Sequence, residues 1–245
     1  MSKIKINSTN GYLNLEDLPQ NCIFNKKITG CGGTTVALKN DKNYVIAVPT
    51  VELIVNKIKR DIAGVGITKF SDGTSKEVFG IFGMFTYTVK KELKNYLKKD
   101  ETKKIICTYD KLPKLKDYLN PKDYELLVDE YQNLLKAYSY RDKAIDGVLN
   151  SYKEYKSACF MSATPIKPDF TPDALKDLEY IEAEWNDTDK LIVSLQQTNK
   201  PFICAANIIR KYKKDGYLDC GGIKSYEAFF FINSVTDIIS IILAA

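Results

Sequence analysis

An aspartate and a glutamate stand side by side at the end of an apolar run, Leu126-Leu127-Val128-Asp129-Glu130-Tyr131-Gln132. Ligands of parallel sheets bind beyond the carboxyl ends of the strands, so a strand here delivers both carboxylates to a crevice. The pair can divide labour: Asp129 orients a magnesium ion, while Glu130 positions or deprotonates an attacking water. A second run, Thr29-Gly30-Cys31-Gly32-Gly33-Thr34-Thr35, joins glycines to hydroxyl groups ahead of the helix-like Val36-Ala37-Leu38. Glycines let successive N–H groups face a phosphate at a helix N-terminus, and a hydroxyl such as that of Thr34 can ligate magnesium. A plain glycine turn between strand and helix has the same composition. A phosphate-binding loop of this pattern wants lysine where Gly33 stands, to meet phosphate charge; Lys26 or Lys27 can reach in from upstream. A third run, Cys159-Phe160-Met161-Ser162-Ala163-Thr164-Pro165, leaves an apolar strand through small hydroxyl residues that can bridge to the residue after Asp129-Glu130.

The elements that must hold these residues alternate along the chain. Short apolar, β-branched runs predict strands at 22–28, 44–48, 104–107, 125–128 and 158–161, with 78–85 ambiguous because of Gly80 and Gly83. Between them, helical spacing predicts helices over 51–62, with Leu53, Ile54, Ile58 and Ile62 near one face, and over 88–99 and 140–155. Strands alternating with helices predict an α/β fold with a parallel central sheet. A second unit is expected from about Leu178, giving domains at 1–177 and 178–245. Its expected elements are extended segments at 180–184 and 191–195, a helix over 201–212, a strand over 228–232, and, after Asn233 and Ser234, an apolar helix to the end. These are too few to close a second core, so the covered chain is expected to stop inside its second domain.

Composition bounds the chemistry. The chain has 245 residues, 44% of them hydrophobic, and Lys plus Arg exceed Asp plus Glu by 36 to 31. A net charge of +5 permits nucleic-acid binding without requiring it, because a basic footprint needs clustering. There is no histidine, which excludes imidazole bases, Ser-His-Asp triads and histidine metal sites. The cysteines, Cys22, Cys31, Cys107, Cys159, Cys204 and Cys220, form no C-x-x-C pair, so a zinc ribbon is not expected and a reduced, cytosolic protein is. The first residues lack the apolar core of a signal peptide, and the apolar run 238–245 is too short to span a bilayer, so no membrane association is expected. Tyr109, Tyr131 and Tyr138 lie close enough to the motifs for base stacking, although most tyrosines suit a core or half-buried surface.

The order of the runs carries more than any one of them. The glycine-rich loop, Val48-Pro49-Thr50, Cys107-Thr108-Tyr109-Asp110, Asp129-Glu130-Tyr131-Gln132 and Ser162-Ala163-Thr164 all follow predicted strands. The series resembles motifs I, Ia, Ib, II and III of superfamily 2 helicases, and the run 229–235 is similar to motif IV, which opens the second motor domain there. The resemblance implies a RecA-like P-loop NTPase fold followed by the start of a second RecA-like domain. It implies ATP and Mg2+ as ligands, with Lys27, Thr29, Gly30, Cys31, Gly32, Gly33, Thr34 and Thr35 around the nucleotide and Thr34 and Asp129 on the metal. Asp129, Glu130 and Gln132 would be catalytic; Ser162, Ala163 and Thr164 would couple the sites; Pro49, Thr50, Thr108, Tyr109 and Asp110 would face nucleic acid, with DNA favoured over RNA. Gln132 stands where relatives carry His or Asp, and its amide can bond Ser162 or Thr164. The resemblance thus implies an ATP-dependent helicase or translocase seen as a fragment, without motifs V and VI and their arginine finger. The Gly-Gly-Thr-Thr variant resembles a subgroup associated with phages and mobile elements, so a bacterial or phage-infected cytoplasm, or a virion, is the implied setting, with replication or virion proteins as partners. The alternative is a non-hydrolysing helicase fold kept as a binding or structural module, which Gly33 favours and Asp129-Glu130 disfavours. A P-loop kinase leaves Ser162-Ala163-Thr164 unexplained.

Overall fold

In a computed structural model of the chain, residues 2–8, 10–136, 138–186, 197–232 and 234–245 are described. Two compact units emerge, Met1–Thr188 and Asp189–Ala245. The first is built from β1 (Ser2–Ile6), β2 (Cys22–Asn25), α1 (Gly33–Lys39), β3 (Tyr44–Val48), α2 (Val51–Ile58), β4 (Gly64–Lys69), β5 (Ser75–Ile81), α3 (Tyr87–Leu97), β6 (Lys104–Thr108), β7 (Glu125–Asp129), α4 (Asn133–Lys136), α5 (Tyr138–Ser151), β8 (Ser157–Ser162) and β9 (Glu179–Trp185), with a 3-10 segment at Tyr109–Asp117. The strands form one nine-stranded sheet in the order β1-β9-β2-β8-β7-β3-β6-β5-β4. Every pairing is parallel except β4 with β5. The α/β class with a parallel central sheet, expected from the sequence, is what forms.

The reason lies in the side chains. β3, β6 and β7 are buried along their whole length, as strands covered on both faces must be. The period of two divides them between two cores: Val45 and Ala47 join one, and Tyr44, Ile46 and Val48 the other. The first core takes Leu93 and Tyr96 from α3 and Ile145 and Val148 from α5. The second takes Val36 and Leu38 from α1 and Ile54 and Ile58 from α2. Seating α2 requires Gly66 on β4, where an added Cβ would lie 2.2 Å from the Ile58 carbonyl oxygen. β2 and β3, consecutive in sequence, are separated in the sheet by β8 and β7. Their carboxyl ends therefore bound the crevice that open parallel sheets use for ligands.

Lys104 shows how α1 is held. Its side chain is fully buried and its Nζ donates to the Ala37 carbonyl at 2.7 Å, to Asn40 Oδ1 at 2.8 Å and to the Lys42 carbonyl, closing the end of the helix. Burial pushes its pKa down to about 7, the nearby Lys76 charge adding to the effect. Between pH 7 and the ordinary lysine range near 10.5 the unfolded chain binds a proton that the folded chain does not, so stability rises with pH. One such group contributes a slope of at most about 1.4 kcal/mol per pH unit. Urea denaturation across this window should show that slope in the wild type and a flatter profile in Lys104→Met.

Several expectations need correction. The strand expected at 22–28 ends at Asn25, because Lys27 adopts a left-handed conformation (φ 63) that leaves the sheet. The helix expected over 51–62 stops at Ile58, capped by left-handed Lys59, so Ile62 lies beyond it and is exposed. The run 78–85 resolves into β5, with Gly83 in a positive-φ turn after it. The extended segment expected at 180–184 is β9, which pairs with both β1 and β2 in the first sheet. Without it, β2, whose residues are all buried, would be an open edge.

In the second unit, α6 (Pro201–Asp215) is followed by a short antiparallel pair, β10 (Leu218–Asp219) with β11 (Lys224–Ser225), and by α7 (Val235–Ala244). α6 and α7 meet through Ala205, Ala206 and Ile241. The strand expected over 228–232 does not form: among the described residues no strand lies beside it to complete a ladder, and Phe229 and Phe231 are exposed. The expected segment at 191–195, and Asn233, lie outside the described residues. Among the described residues no helix is long and apolar enough to cross a membrane.

Candidate nucleotide site

Three strand ends converge on one cluster. β2 leads into the glycine-rich loop, β7 ends in Asp129, and β8 ends in Ser162. Parallel pairing sets their heights: Asn25 lies level with Ser162, and Asp129 with Met161. The Thr34 hydroxyl donates to Asp129 Oδ2 at 2.8 Å. Lys26 Nζ lies 3.0 Å from Glu130 Oε1 and 3.8 Å from Asp129 Oδ1. Glu130 is one of the few non-glycine residues in a left-handed conformation (φ 50), a strain typical of sites where a side chain must be aimed. Gln132 Nε2 donates to Glu130 Oε2 at 2.7 Å, and its Oε1 is buried without a partner. Gly30 and Gly32 turn the loop with φ of 69 and 82.

The charges are mutually dependent. Burial raises the pKa of the Asp129 carboxyl, while Lys26 and the Thr34 hydrogen bond pull the other way. Burial also works to lower Lys26, but the fields of Asp129 and Glu130 hold its ammonium above the ordinary lysine range. Lys57, on α2, is lowered by burial, with Asp129 acting against the shift. Buried ions of this kind are costly unless paired, so the ammonium and both carboxylates form one electrostatic unit.

The space beside Gly33 is taken by the far end of a flexible side chain. A Cβ at Gly33 would lie 2.5 Å from Met161 Sδ and 2.6 Å from its Cε, and Met161 is fully buried. Lys27, expected beside the nucleotide, instead pairs with Glu182 at 2.7 Å, and Lys26 is the lysine that enters the cluster. The main chain of Lys26 is pinned on both sides: its N–H donates to the Ser162 carbonyl at 2.9 Å, and its carbonyl accepts from Trp185 Nε1 at 2.9 Å.

The remaining predicted residues divide. Thr29 and Gly30 are exposed, Thr34 and Thr35 half-buried, and the Cys31 side chain joins the core. The expected contact of Gln132 with Ser162 or Thr164 is not made: the amide goes to Glu130, and Ser162 Oγ accepts from the Thr164 N–H at 2.8 Å. Ser162 is fully buried, Ala163 half-buried and Thr164 exposed. Of the residues expected to face nucleic acid, Thr50 is exposed and Asp110 half-buried, whereas Pro49, Thr108 and Tyr109 are buried. Tyr109 turns inward because its hydroxyl has two acceptors there, the carbonyls of Asp129 at 2.7 Å and Glu130 at 3.1 Å. Tyr131 packs on Phe160, and Tyr138 is exposed.

Arg141 and the segment before β2 gave no signal in the sequence. Arg141 Nη1 donates to the Pro49 carbonyl at 2.8 Å and its Nη2 lies 3.6 Å from Asp110, so it joins the two segments that follow β3 and β6. The Leu13 N–H donates to the Cys31 carbonyl at 2.8 Å, which brings Tyr12 over Gly32. A cavity of ≈ 560 Å³ opens there, lined by Tyr12, Glu16, Gly32, Thr35 and Lys39 among others. Arg141 falls where α5 departs from helical φ and ψ, and Tyr12 and Leu13 lie in an irregular stretch, so neither carries a periodicity by which to find it.

The residues fit a magnesium ion. Thr34 and Asp129 offer the hard oxygen donors that it takes. Among the described residues no group of three or more acidic or thiol side chains gathers, so phosphates and water would supply the other ligands, as is usual for Mg2+.

Three solved structures match the chain at low identity. A Dbp5 variant from S. cerevisiae, bound to a Gle1 variant and IP6, matches over 80% of this chain and 49% of its own, with 11% identity and a TM-score of 0.46. The Hef helicase domain of Pyrococcus furiosus matches over 80% and 43%, with 16% identity and a TM-score of 0.45. A DEAD box protein from Methanococcus jannaschii matches over 80% and 54%, with 18% identity and a TM-score of 0.42. The chain thus spans about half the length of these solved chains. No protein-family description and no curated protein matches the sequence.

Proposed function

We propose that the first unit binds and hydrolyses ATP, and that the chain is part of a nucleic-acid-dependent motor of the superfamily 2 helicase kind. The observation that carries this reading is the Thr34 hydroxyl on Asp129 with Glu130 and Lys26 beside it, delivered by separate strands to one sheet end. In this reading the glycine-rich loop holds the phosphates and the cavity beside Tyr12 receives the base and sugar. A magnesium ion held by Thr34 and Asp129 would neutralise phosphate charge when bound. Glu130 takes a proton from the attacking water as its oxygen bonds to the terminal phosphorus, and the bond to the bridging oxygen breaks to release ADP. Tyr109 ties the backbone of both carboxylates to the segment after β6, where Asp110 stands. That tie offers a route by which nucleic acid near Thr50 and Asp110 can alter hydrolysis. The second unit is proposed to open a second RecA-like domain, with DNA favoured over RNA as the track.

A second reading, a non-hydrolysing helicase fold used as a binding or structural module, is favoured by Gly33 in place of the loop lysine. Magnesium-dependent ATP binding and hydrolysis, measured with and without single-stranded DNA or RNA, separates the two. Turnover stimulated by nucleic acid is the expected result. Binding without turnover would leave the binding module, and a folded chain that binds no nucleotide would sink both nucleotide readings.

A further inference from the structure

We infer that Lys26 supplies the phosphate-facing cation that the glycine-rich loop lacks, entering the cluster from the end of β2 where position 33 carries only glycine. The inference rests on the nucleotide reading above and names the residue that makes it work.

A loop that holds two or three phosphates must offset several negative charges, and backbone N–H groups alone leave most of that charge unmet. The usual position for the cation is occupied by Gly33, with the flexible end of Met161 packed beside it. Met161 belongs to β8, one residue before Ser162, so its main chain is set by the sheet while its side chain can turn. Lys26 reaches the same cluster by another path. It follows the last residue of β2, and both its N–H and its carbonyl are bonded, to Ser162 and Trp185. Its side chain is only 7% exposed and ends between the two carboxylates that would flank the phosphates and metal. Lys27 points to Glu182 instead. Lys57, a half-buried ammonium that feels the charge of Asp129, has no ion-pair partner among the described residues and is the rival for this role.

The present pairing also gives the cation a second task. While Lys26 holds Glu130 at 3.0 Å, an oxygen of that carboxylate is engaged. A terminal phosphate that draws Lys26 toward itself releases Glu130 for the proton of the attacking water. Binding of the nucleotide and freeing of the base then occur in one movement.

The test is equilibrium binding of ATP with magnesium, and of tripolyphosphate alone, to the full chain. Lys26→Met should weaken both ligands by at least about tenfold, or roughly 1.4 kcal/mol, while Lys26→Arg keeps most of the affinity and Lys27→Ala binds as wild type. Because removing Lys26 strands two carboxylates, the comparison is repeated in a Glu130→Gln background, where only Asp129 is left without its partner and no hydrolysis intrudes. Thermal melting confirms that each variant is folded. Equal binding by Lys26→Met and its parent in both backgrounds overturns the inference but leaves the nucleotide reading standing, as does a loss confined to Lys57→Met. Failure of the wild type to bind either ligand overturns the nucleotide reading and this inference with it.

Discussion

Glu130→Gln should hold ATP and lose its hydrolysis by about 100- to 10,000-fold, the range expected when a general base is removed. The substitution preserves size and retains an acceptor for the Gln132 amide, which now donates to Glu130 Oε2 at 2.7 Å. Lys26 keeps Asp129 at 3.8 Å, so the cluster is not left without its cation. The Thr34 bond to Asp129 is untouched, and the proposed metal position with it. What disappears is an oxygen able to accept a proton from water beside the phosphates. Single-turnover hydrolysis and equilibrium binding, measured side by side, separate these effects. Turnover within a few-fold of wild type would remove Glu130 from the chemistry and return the base to an unidentified group.

The largest loss of stability is expected at a position remote from the cluster. Gly66→Ala places a methyl group 2.2 Å from the Ile58 carbonyl oxygen and 2.7 Å from the Ile58 Cβ. No rotamer relieves a clash with backbone, so α2 must lift from the sheet. Ile58 is itself locked, buried and pressed against Gly80, where an added Cβ would meet its Cδ1 at 2.5 Å. Overpacking of this kind costs about 3 kcal/mol or more. Gly73→Ala provides the contrast: its φ of 85 disfavours a side chain, but nothing lies within 4 Å, so a loss of about 1 kcal/mol is expected. Urea denaturation of the two variants should differ accordingly. Similar small losses would mean that α2 does not rest on β4 as described.

The sequence showed most where burial is symmetrical. β3, β6 and β7 are apolar and β-branched through their length because helices or loops cover both faces, and such runs announce themselves. β1 and β4 did not. β1 lies at an edge and interleaves lysines with isoleucines, while β4 gives two of its positions to glycine, Gly66 so that α2 can approach and Gly64 at a positive φ. The partners of β9 were hidden for a related reason. β9 alternates exposed and buried residues as a strand near an edge does, and nothing local reveals that its partners are β1 and β2, more than a hundred residues earlier. Asp129, Glu130 and Thr34 were legible because strand ends and glycine loops place such residues predictably. The choice between Lys26 and Lys27 was not, since neighbours in a chain differ only by which way the backbone turns between them. Tyr109 failed as a surface prediction because the two carbonyls that hold it inside belong to the main chain, which has no signature in sequence.

The fastening of Trp185 to Lys26 has a mechanical consequence. β9 is the last strand of the first unit, held between β1 and β2, and its final residue donates an indole hydrogen bond to the Lys26 carbonyl. A pull on the chain beyond this point loads β9 along its length, so its ladders resist in shear, many bonds at once, instead of peeling one by one. The bond at Trp185 stands at the loaded end and feels that tension first. Tension at Trp185 is thereby passed to the peptide of Lys26, whose side chain stands between Asp129 and Glu130.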